Sequence, residues 1–182
     1  NGTELDLSSG DFTLDVAGDI ILDADGGTVK IVDNGTNILQ FANVSNDVVI
    51  QSLVSDKDII FKGQDSGSTV TAMTIDMSAG GNVGIGTTSP ATLLHVENSG
   101  GNGSMQLISS TSGTSFINMG DTGDADAGQL SYINADNAMA IKTNASERLR
   151  VDSSGNVKVL TGNIQLGASG SETGQIEIDS SR

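Results

Sequence analysis

Glycine recurs at short, even intervals in the first part of this sequence, and this spacing limits the chain to short structural elements. In the first 35 residues the units end, 8 or 9 residues apart, at Gly10, Gly18, Gly27 and Gly35. Apolar residues alternate with polar ones inside the units, as at Phe12, Leu14 and Val16. Such alternation, followed by a turn of Gly, Asp, Asn or Ser, is typical of a half-buried strand. The rhythm continues more loosely to residue 80 without a helical period, so we predict an all-β fold of short serial strands.

A longer repeat is superimposed on these units. The segment "MTIDMSAGGNVGI" (73–85) returns about 75 residues later as "LRVDSSGNVKV" (149–159), with two fewer turn residues. A strand–turn–strand cassette that occurs twice is typical of an elongated modular shaft, whereas a catalytic loop is normally unique.

Between the two copies the sequence predicts a small antiparallel meander with longer, polar loops. Its strands are expected at residues 104–109, 115–119, 128–133 and 138–142. We therefore divide the chain into a β-repeat shaft (1–80), a glycine-rich joint (81–97), a β-meander module (98–146) and a second shaft segment (147–182).

The joint, within "GGNVGIGTTSPATLLHVEN", resembles a phosphate-binding glycine loop at first sight. The dinucleotide fingerprint requires a third glycine and a following helix, but Ser89 and Pro90 stand there and the next glycine cluster follows closely. Ser89 and Pro90 instead predict an N-cap and one helical turn. We expect Gly84 and Gly86 where the chain turns sharply or backbones approach closely.

Charge and composition exclude several functions. The net charge of −15 disfavours nucleic acid and anionic membrane surfaces as partners, and no apolar run is long enough to insert in a membrane. The absence of cysteine excludes disulfides and thiolate metal sites. With only five aromatic residues and no tryptophan, the core is expected to be narrow and built from stacked Val, Ile and Leu.

No catalytic or cofactor-binding residue is predicted. His95 is the only histidine, and no Gly-x-Ser-x-Gly elbow accompanies it, so we expect a structural role, on the strand face opposite Leu94 and Val96. Paired carboxylates are inevitable among 23 acidic residues, and a glycan-cleaving site lacks its usual aromatic platform. Arg148 and Arg150 are expected to pair with neighbouring acids.

The loop "GDTGDADAG" contains the only metal-site candidates, Asp121, Asp124 and Asp126. Oxygen ligands of this kind suit Ca²⁺, although the spacing is not that of an EF-hand. A solvated acidic loop is the plainer interpretation, and a cation becomes more attractive if symmetry brings several copies together.

Three phrases carry a resemblance to a known group of proteins. "GNVGIGTTSPATLLHVEN", "ERLRVDSSGNV" and "GDIILDADGG" resemble segments of tail fibres and related virion structural proteins of bacteriophages, especially marine and cyanobacterial ones. The resemblance is strongest at residues 18–35, 56–97 and 147–157. It implies a homotrimeric fibre of the virion, extracellular after release, of a kind in which such repeats often precede an intramolecular chaperone domain.

Units of this length suit either an intertwined trimeric β-helix or β-prism, or a single-chain β-solenoid. With strands ~4.8 Å apart, the trimer would be about 100 Å long and the solenoid about 35 Å. We expect a non-enzymatic shaft segment of a phage tail fibre that supports host attachment, with other tail or fibre proteins and a host glycan or protein as partners. The alternatives are a glycan-binding or glycan-cleaving tailspike module and a monomeric, Ca²⁺-dependent bacterial adhesin.

Overall fold

A computed structural model of the protein describes Leu7 and residues 9–160. The chain is all-β, as predicted, and divides into two compact units, Asn1–Ser104 and Met105–Arg182. None of the described residues lies in a helix, and hence none in a helix long and apolar enough to cross a membrane.

The first unit contains two open sheets. The first sheet is an antiparallel meander of β1 (Thr28–Asp33), β2 (Thr36–Val44) and β3 (Asp47–Ser52). The second sheet contains β4 (Ile59–Asp65), β5 (Ser68–Asp76), β6 (Asn82–Ile85) and β7 (Leu94–Val96). Its first three strands are antiparallel, and β7 returns parallel to β6.

The second unit contains one five-stranded meander, the third sheet, in the order β12-β11-β10-β9-β8. Its strands are β8 (Thr114–Met119), β9 (Gly128–Ile133), β10 (Ala138–Thr143), β11 (Ser146–Val151) and β12 (Val157–Val159). Three of the four predicted meander strands are confirmed, while residues 104–109 form no strand. The same sheet continues past residue 146 through β11 and β12. The rest of the predicted second shaft segment, from residue 161, lies outside the described residues.

Four hairpins turn through two residues that both have positive φ. These pairs are Asn34-Gly35, Ser45-Asn46, Ser66-Gly67 and Asn144-Ala145. Positive φ at both positions defines a type I′ turn, whose twist matches that of the paired strands. Asn and Gly adopt this conformation readily, so the local sequence favours these reversals.

Each sheet contains three consecutive antiparallel strands joined by two hairpins, and the first of these two hairpins carries a β-bulge. The register shifts leave one extra residue on the second strand, namely Ile38 in β2, Ala72 in β5 and Arg148 in β11. The structural repeat is therefore a bulged three-stranded meander, present at 28–52, 59–85 and 138–159. The cassette recognised in the sequence is the second hairpin of two of these copies: Ile75 pairs with Val83, and Val151 pairs with Val157.

Residues 9–27 contain no strand, and the prediction of paired strands in this glycine-spaced part is wrong for the single chain. The unit that begins at Thr28 forms β1, but the two units before it, which bend at Ala17 and Gly18, take part in no ladder. A strand requires a partner for its backbone hydrogen bonds, and the described part of the chain supplies none to residues 11–23.

The interior of a single chain is very small. Among the described residues, the buried side chains are Thr74, Pro90, Ser131, Ala138 and Ala140. All four phenylalanines are between 45% and 59% exposed. The expected stack of large aliphatic side chains is therefore not assembled within one chain.

Ala145 offers a test of the turn geometry, because an alanine with φ of 53° is strained. We expect Ala145→Gly to raise the free energy of unfolding by about 0.5–1 kcal/mol, measured by chemical or thermal denaturation. Gly35→Ala, at the equivalent position of the β1–β2 hairpin, should lower it by a similar amount. A stabilising Gly35→Ala, or an unstable Ala145→Gly, would contradict the assigned turn type.

Candidate functional site

One face of the third sheet is apolar from edge to edge. Directly paired residues lie on the same face, and side chains alternate between faces along each strand. Following the register across the five strands, this face carries Ile117, Met119, Leu130, Tyr132, Met139, Ile141, Leu149, Val151, Val157 and Val159. Most of these side chains are exposed in the single chain, from 36% for Tyr132 to 66% for Val157.

The other two sheets have the same character. In the second sheet the register places on one face Ile59, Phe61, Met73, Ile75, Val83, Ile85, Leu94 and Val96. In the first sheet the corresponding face carries Val29, Ile31, Leu39, Phe41, Val48 and Ile50. We call these three surfaces the apolar faces. Leu39 of the first sheet and Ile59 of the second both line a pocket of about 470 Å³.

The opposite faces are mainly polar and carry side-chain hydrogen bonds, although Ile60 and Phe116 also lie on them. Gln40 donates to Gln51 at 2.8 Å in the first sheet, and Gln129 donates to Asn118 at 2.9 Å in the third. The predicted pairing of Arg150 with nearby acids is confirmed, because its guanidinium contacts Glu147 at 2.6 Å and Asp136 at 3.0 Å. The Arg150 hydrogen bond holds the pKa of Glu147 below its ordinary value. Arg148 donates to the hydroxyl of Thr143.

Each sheet therefore has one mainly polar face with side-chain hydrogen bonds and one apolar face that is exposed to solvent. Contiguous exposed apolar surface of this kind marks an interaction site, because its exposure to water is unfavourable. Sequence reasoning missed these faces as sites. The alternation was visible in "TVKIVD" and "AMAIKT", but the strand register that aligns the rows was not.

The glycine-rich joint is a short loop that connects the parallel strands β6 and β7, and it is not a phosphate-binding loop. Val83 pairs with Leu94 and Ile85 with Val96, so the chain reverses twice within residues 86–93. The expected close approaches at Gly84 and Gly86 are confirmed. A Cβ on Gly84 would lie 2.6 Å from the carbonyl oxygen of Thr87, and one on Gly86, where φ is 76°, would clash with the carbonyl of Glu97.

The predicted helical turn after Ser89 is wrong. Its backbone groups are bound elsewhere: the Pro90 carbonyl accepts from the Asn82 side chain at 3.2 Å, and the Ala91 N–H donates to His95 Nδ1 at 3.3 Å. Pro90 is buried, which fixes the loop against β6. His95 thus supports the loop that precedes its own strand. It is half-buried, pairs with Gly84, and points away from the apolar face that carries Leu94 and Val96.

The hydroxyl of Thr74 is the one buried side-chain polar atom without a hydrogen-bond partner in the described part of the chain. We expect Thr74→Val to raise the free energy of unfolding by about 1 kcal/mol, because the apolar replacement of similar shape removes an unsatisfied group. Denaturation of the variant measures this. Thr71→Val, at a half-buried position of the same strand, is the control and should change stability less. A clear loss of stability in Thr74→Val would mean that the hydroxyl has a partner after all.

The acidic loop at 120–128 uses one of its carboxylates to hold its own backbone. Asp121 Oδ1 accepts the N–H groups of Gly123 at 2.8 Å and Asp124 at 3.0 Å, and these bonds lower the pKa of Asp121. Gly120 leaves no room for a side chain beside Asp124 and Ala125. Within residues 9–160, no three His, Cys, Asp or Glu side chains converge in a way that could hold a metal ion, so Asp121, Asp124 and Asp126 are not brought together as a set of ligands.

An aspartate organises the turn in both copies of the repeated cassette. Asp76 Oδ1 accepts from the Ser78 hydroxyl at 2.7 Å and from the Ala79 N–H at 3.0 Å. Asp152 Oδ1 accepts from the N–H groups of Ser154 and Asn156, both at 3.0 Å, and its Oδ2 lies 2.7 Å from Lys158 Nζ. These contacts, led by Ser78 and by Lys158 respectively, lower the pKa of both carboxyls.

This depressed pKa predicts an acid-sensitive turn. The charged Asp152 carboxylate contributes stability above its ordinary pKa, near 4, and that contribution is lost as the pH falls through the lower folded-state value. At pH 7 we expect Asp152→Asn to melt at a lower temperature than the parent, and the difference to shrink as the pH is lowered below 4. Melting curves from pH 7 to pH 2 measure it, with Asp126→Asn as a charge-matched control. A difference that does not change with pH would contradict the role of the charge.

Comparison with known protein-family models and with curated protein sequences finds no match to this chain.

Proposed function

We propose that this chain is a structural, non-enzymatic segment of a bacteriophage tail fibre, in which three copies assemble into a β-rich shaft. The shaft would belong to the virion, join other tail or fibre proteins, and support attachment to the host cell. The resemblance of the repeated phrases to phage fibre proteins suggests the setting. The open apolar faces supply the physical argument.

The observation that carries the proposal is that each of the three sheets leaves its apolar face open. In a threefold arrangement, each sheet would form one wall of a three-sided prism, and its apolar face would meet the same face of two other copies. Closed point-group symmetry of this kind ends the association at a defined number of chains. If the two sheets of the first unit packed their apolar faces on one another, Phe41 and Phe61 would not be about half exposed.

The chemistry of the two kinds of face suits such a prism. A narrow axial space favours Val, Ile, Leu and Met over large aromatic side chains, which agrees with only five aromatic residues in the sequence. Charged and amide side chains on the opposite faces would remain in water, and the net charge of −15 per chain would keep the fibre soluble. If the shaft itself touches a host glycan or protein, the loops at 111–115, 120–128 and 134–137 are the candidate surfaces.

Mass and shape of the purified protein test the proposal. We expect light scattering to give about 55.5 kDa, three times the 18.5 kDa of one chain, and negative-stain microscopy to give a rod approaching about 100 Å. A compact monomer of 18.5 kDa would overturn the trimer and favour a single-chain solenoid. A dimer would favour face-to-face pairing of sheets instead of a prism.

A pair of neighbouring substitutions in β9 locates the interface. Leu130 lies on the apolar face and is 37% exposed in the single chain, whereas the adjacent Gln129 lies on the polar face. We expect Leu130→Asn to weaken the trimer by about 2 kcal/mol per subunit, since the leucine would be buried on assembly. Gln129→Asn, the control, should leave the trimer intact. Equal effects of the two variants would mean that the apolar face of the third sheet is not the interface.

A further inference from the structure

Residues 11–23, which we call the N-terminal extended segment, carry two rows of opposite character. Its even positions are apolar residues and one glycine: Phe12, Leu14, Val16, Gly18, Ile20 and Leu22. Its odd positions are mostly acidic: Asp11, Thr13, Asp15, Ala17, Asp19, Ile21 and Asp23. In an extended chain the two rows would point to opposite sides, so residues 11–23 have the sequence pattern of an amphipathic strand, although in the single chain they form no strand and bend at Ala17 and Gly18.

This segment has no partner within the described part of its own chain. Residues 9–23 are all exposed and take part in no ladder, and the large apolar side chains of the even row are 45% to 68% exposed. An extended strand that neither pairs its backbone nor buries its side chains is not stable alone in water. The pattern therefore calls for a partner beyond the part of the chain that the structure describes.

The last residue of the even row, Leu22, lies beside the apolar face of the first sheet. Leu22 lines a pocket of about 230 Å³ together with Val29 and Phe41, both of which belong to that face. At the end of the segment, Gly27 donates to Ala24 at 2.7 Å and accepts from the Asn43 N–H at 2.8 Å, which joins the segment to β2. An arrangement that brings together the apolar faces of three first sheets therefore also brings the three copies of Leu22, the last residue of the even row, towards one another.

We propose that the N-terminal extended segment becomes ordered only on assembly, where three copies run parallel and in register with the even row on the common axis. The partner is thus the same segment of a second and a third copy of this chain. This assignment rests on the trimer proposed above. The opposite orientation, with the odd row inside, would place Asp11, Asp15, Asp19 and Asp23 in the interior, where unpaired carboxylates are very unfavourable.

Amide hydrogen exchange of the full chain, followed by mass spectrometry, tests the assignment. In the assembled protein we expect amides of residues 11–23 to exchange at least about 100-fold more slowly than in an unstructured peptide, since they would be held in an intersubunit ladder. A trimer in which these amides exchange at the rate of an unstructured peptide would overturn the assignment and leave the proposed shaft standing. A monomer would overturn the shaft itself.

Two adjacent substitutions test which row faces the axis. Leu14→Asn places an amide in the even row, and Thr13→Asn places the same amide in the odd row. We expect Leu14→Asn to abolish most of the protection at residues 11–23 while the amides of β8–β11 stay protected, and Thr13→Asn to change neither. Equal loss in both variants, or a loss confined to Thr13→Asn, would overturn the proposed orientation.

Discussion

Burial of apolar side chains is the interaction on which this structure depends, and the described part of one chain leaves it incomplete. In all three sheets short hairpins connect consecutive antiparallel strands of the same chain, while residues 9–27 take part in no ladder. Burial is less complete, since among the described residues only Pro90 and small side chains such as Thr74 and Ala140 are enclosed. We therefore interpret each open apolar face as one part of a hydrophobic core. In the proposed threefold shaft, the same faces of two other copies would supply the rest of that core.

The unusual composition follows from the same constraint. A compact domain encloses its core with side chains from distant parts of one chain and gains much of its buried area from aromatic rings. Here the large side chains of the strands stand on thin sheets beside close neighbours, as Ile75 stands between Ile59 and Val83. Glycine appears where two backbones meet, as at Gly84 and Gly86, or where the chain reverses, as at Gly35.

Local signals made part of this fold predictable. The all-β class, three meander strands, the duplicated cassette and the close approaches in the joint all depend on short-range patterns. The failures have tertiary causes: the helical turn after Ser89 is displaced by Asn82 and His95, and the early repeat units form no ladder because no strand between residues 28 and 160 pairs with them. The strand register could not be predicted either, because bulges at Ile38, Ala72 and Arg148 interrupt the alternation.

The hairpin connections also bear on how the protein reaches its folded state. Each bulged meander closes through contacts between residues that are near in sequence, and the entropy cost of closing such small loops is low. The three sheets can therefore form one after another as the chain leaves the ribosome, with no need to wait for distant segments. Joining of chains would then be a separate, concentration-dependent and slower step. Until the chains have joined, each one would expose apolar faces that can aggregate with other proteins.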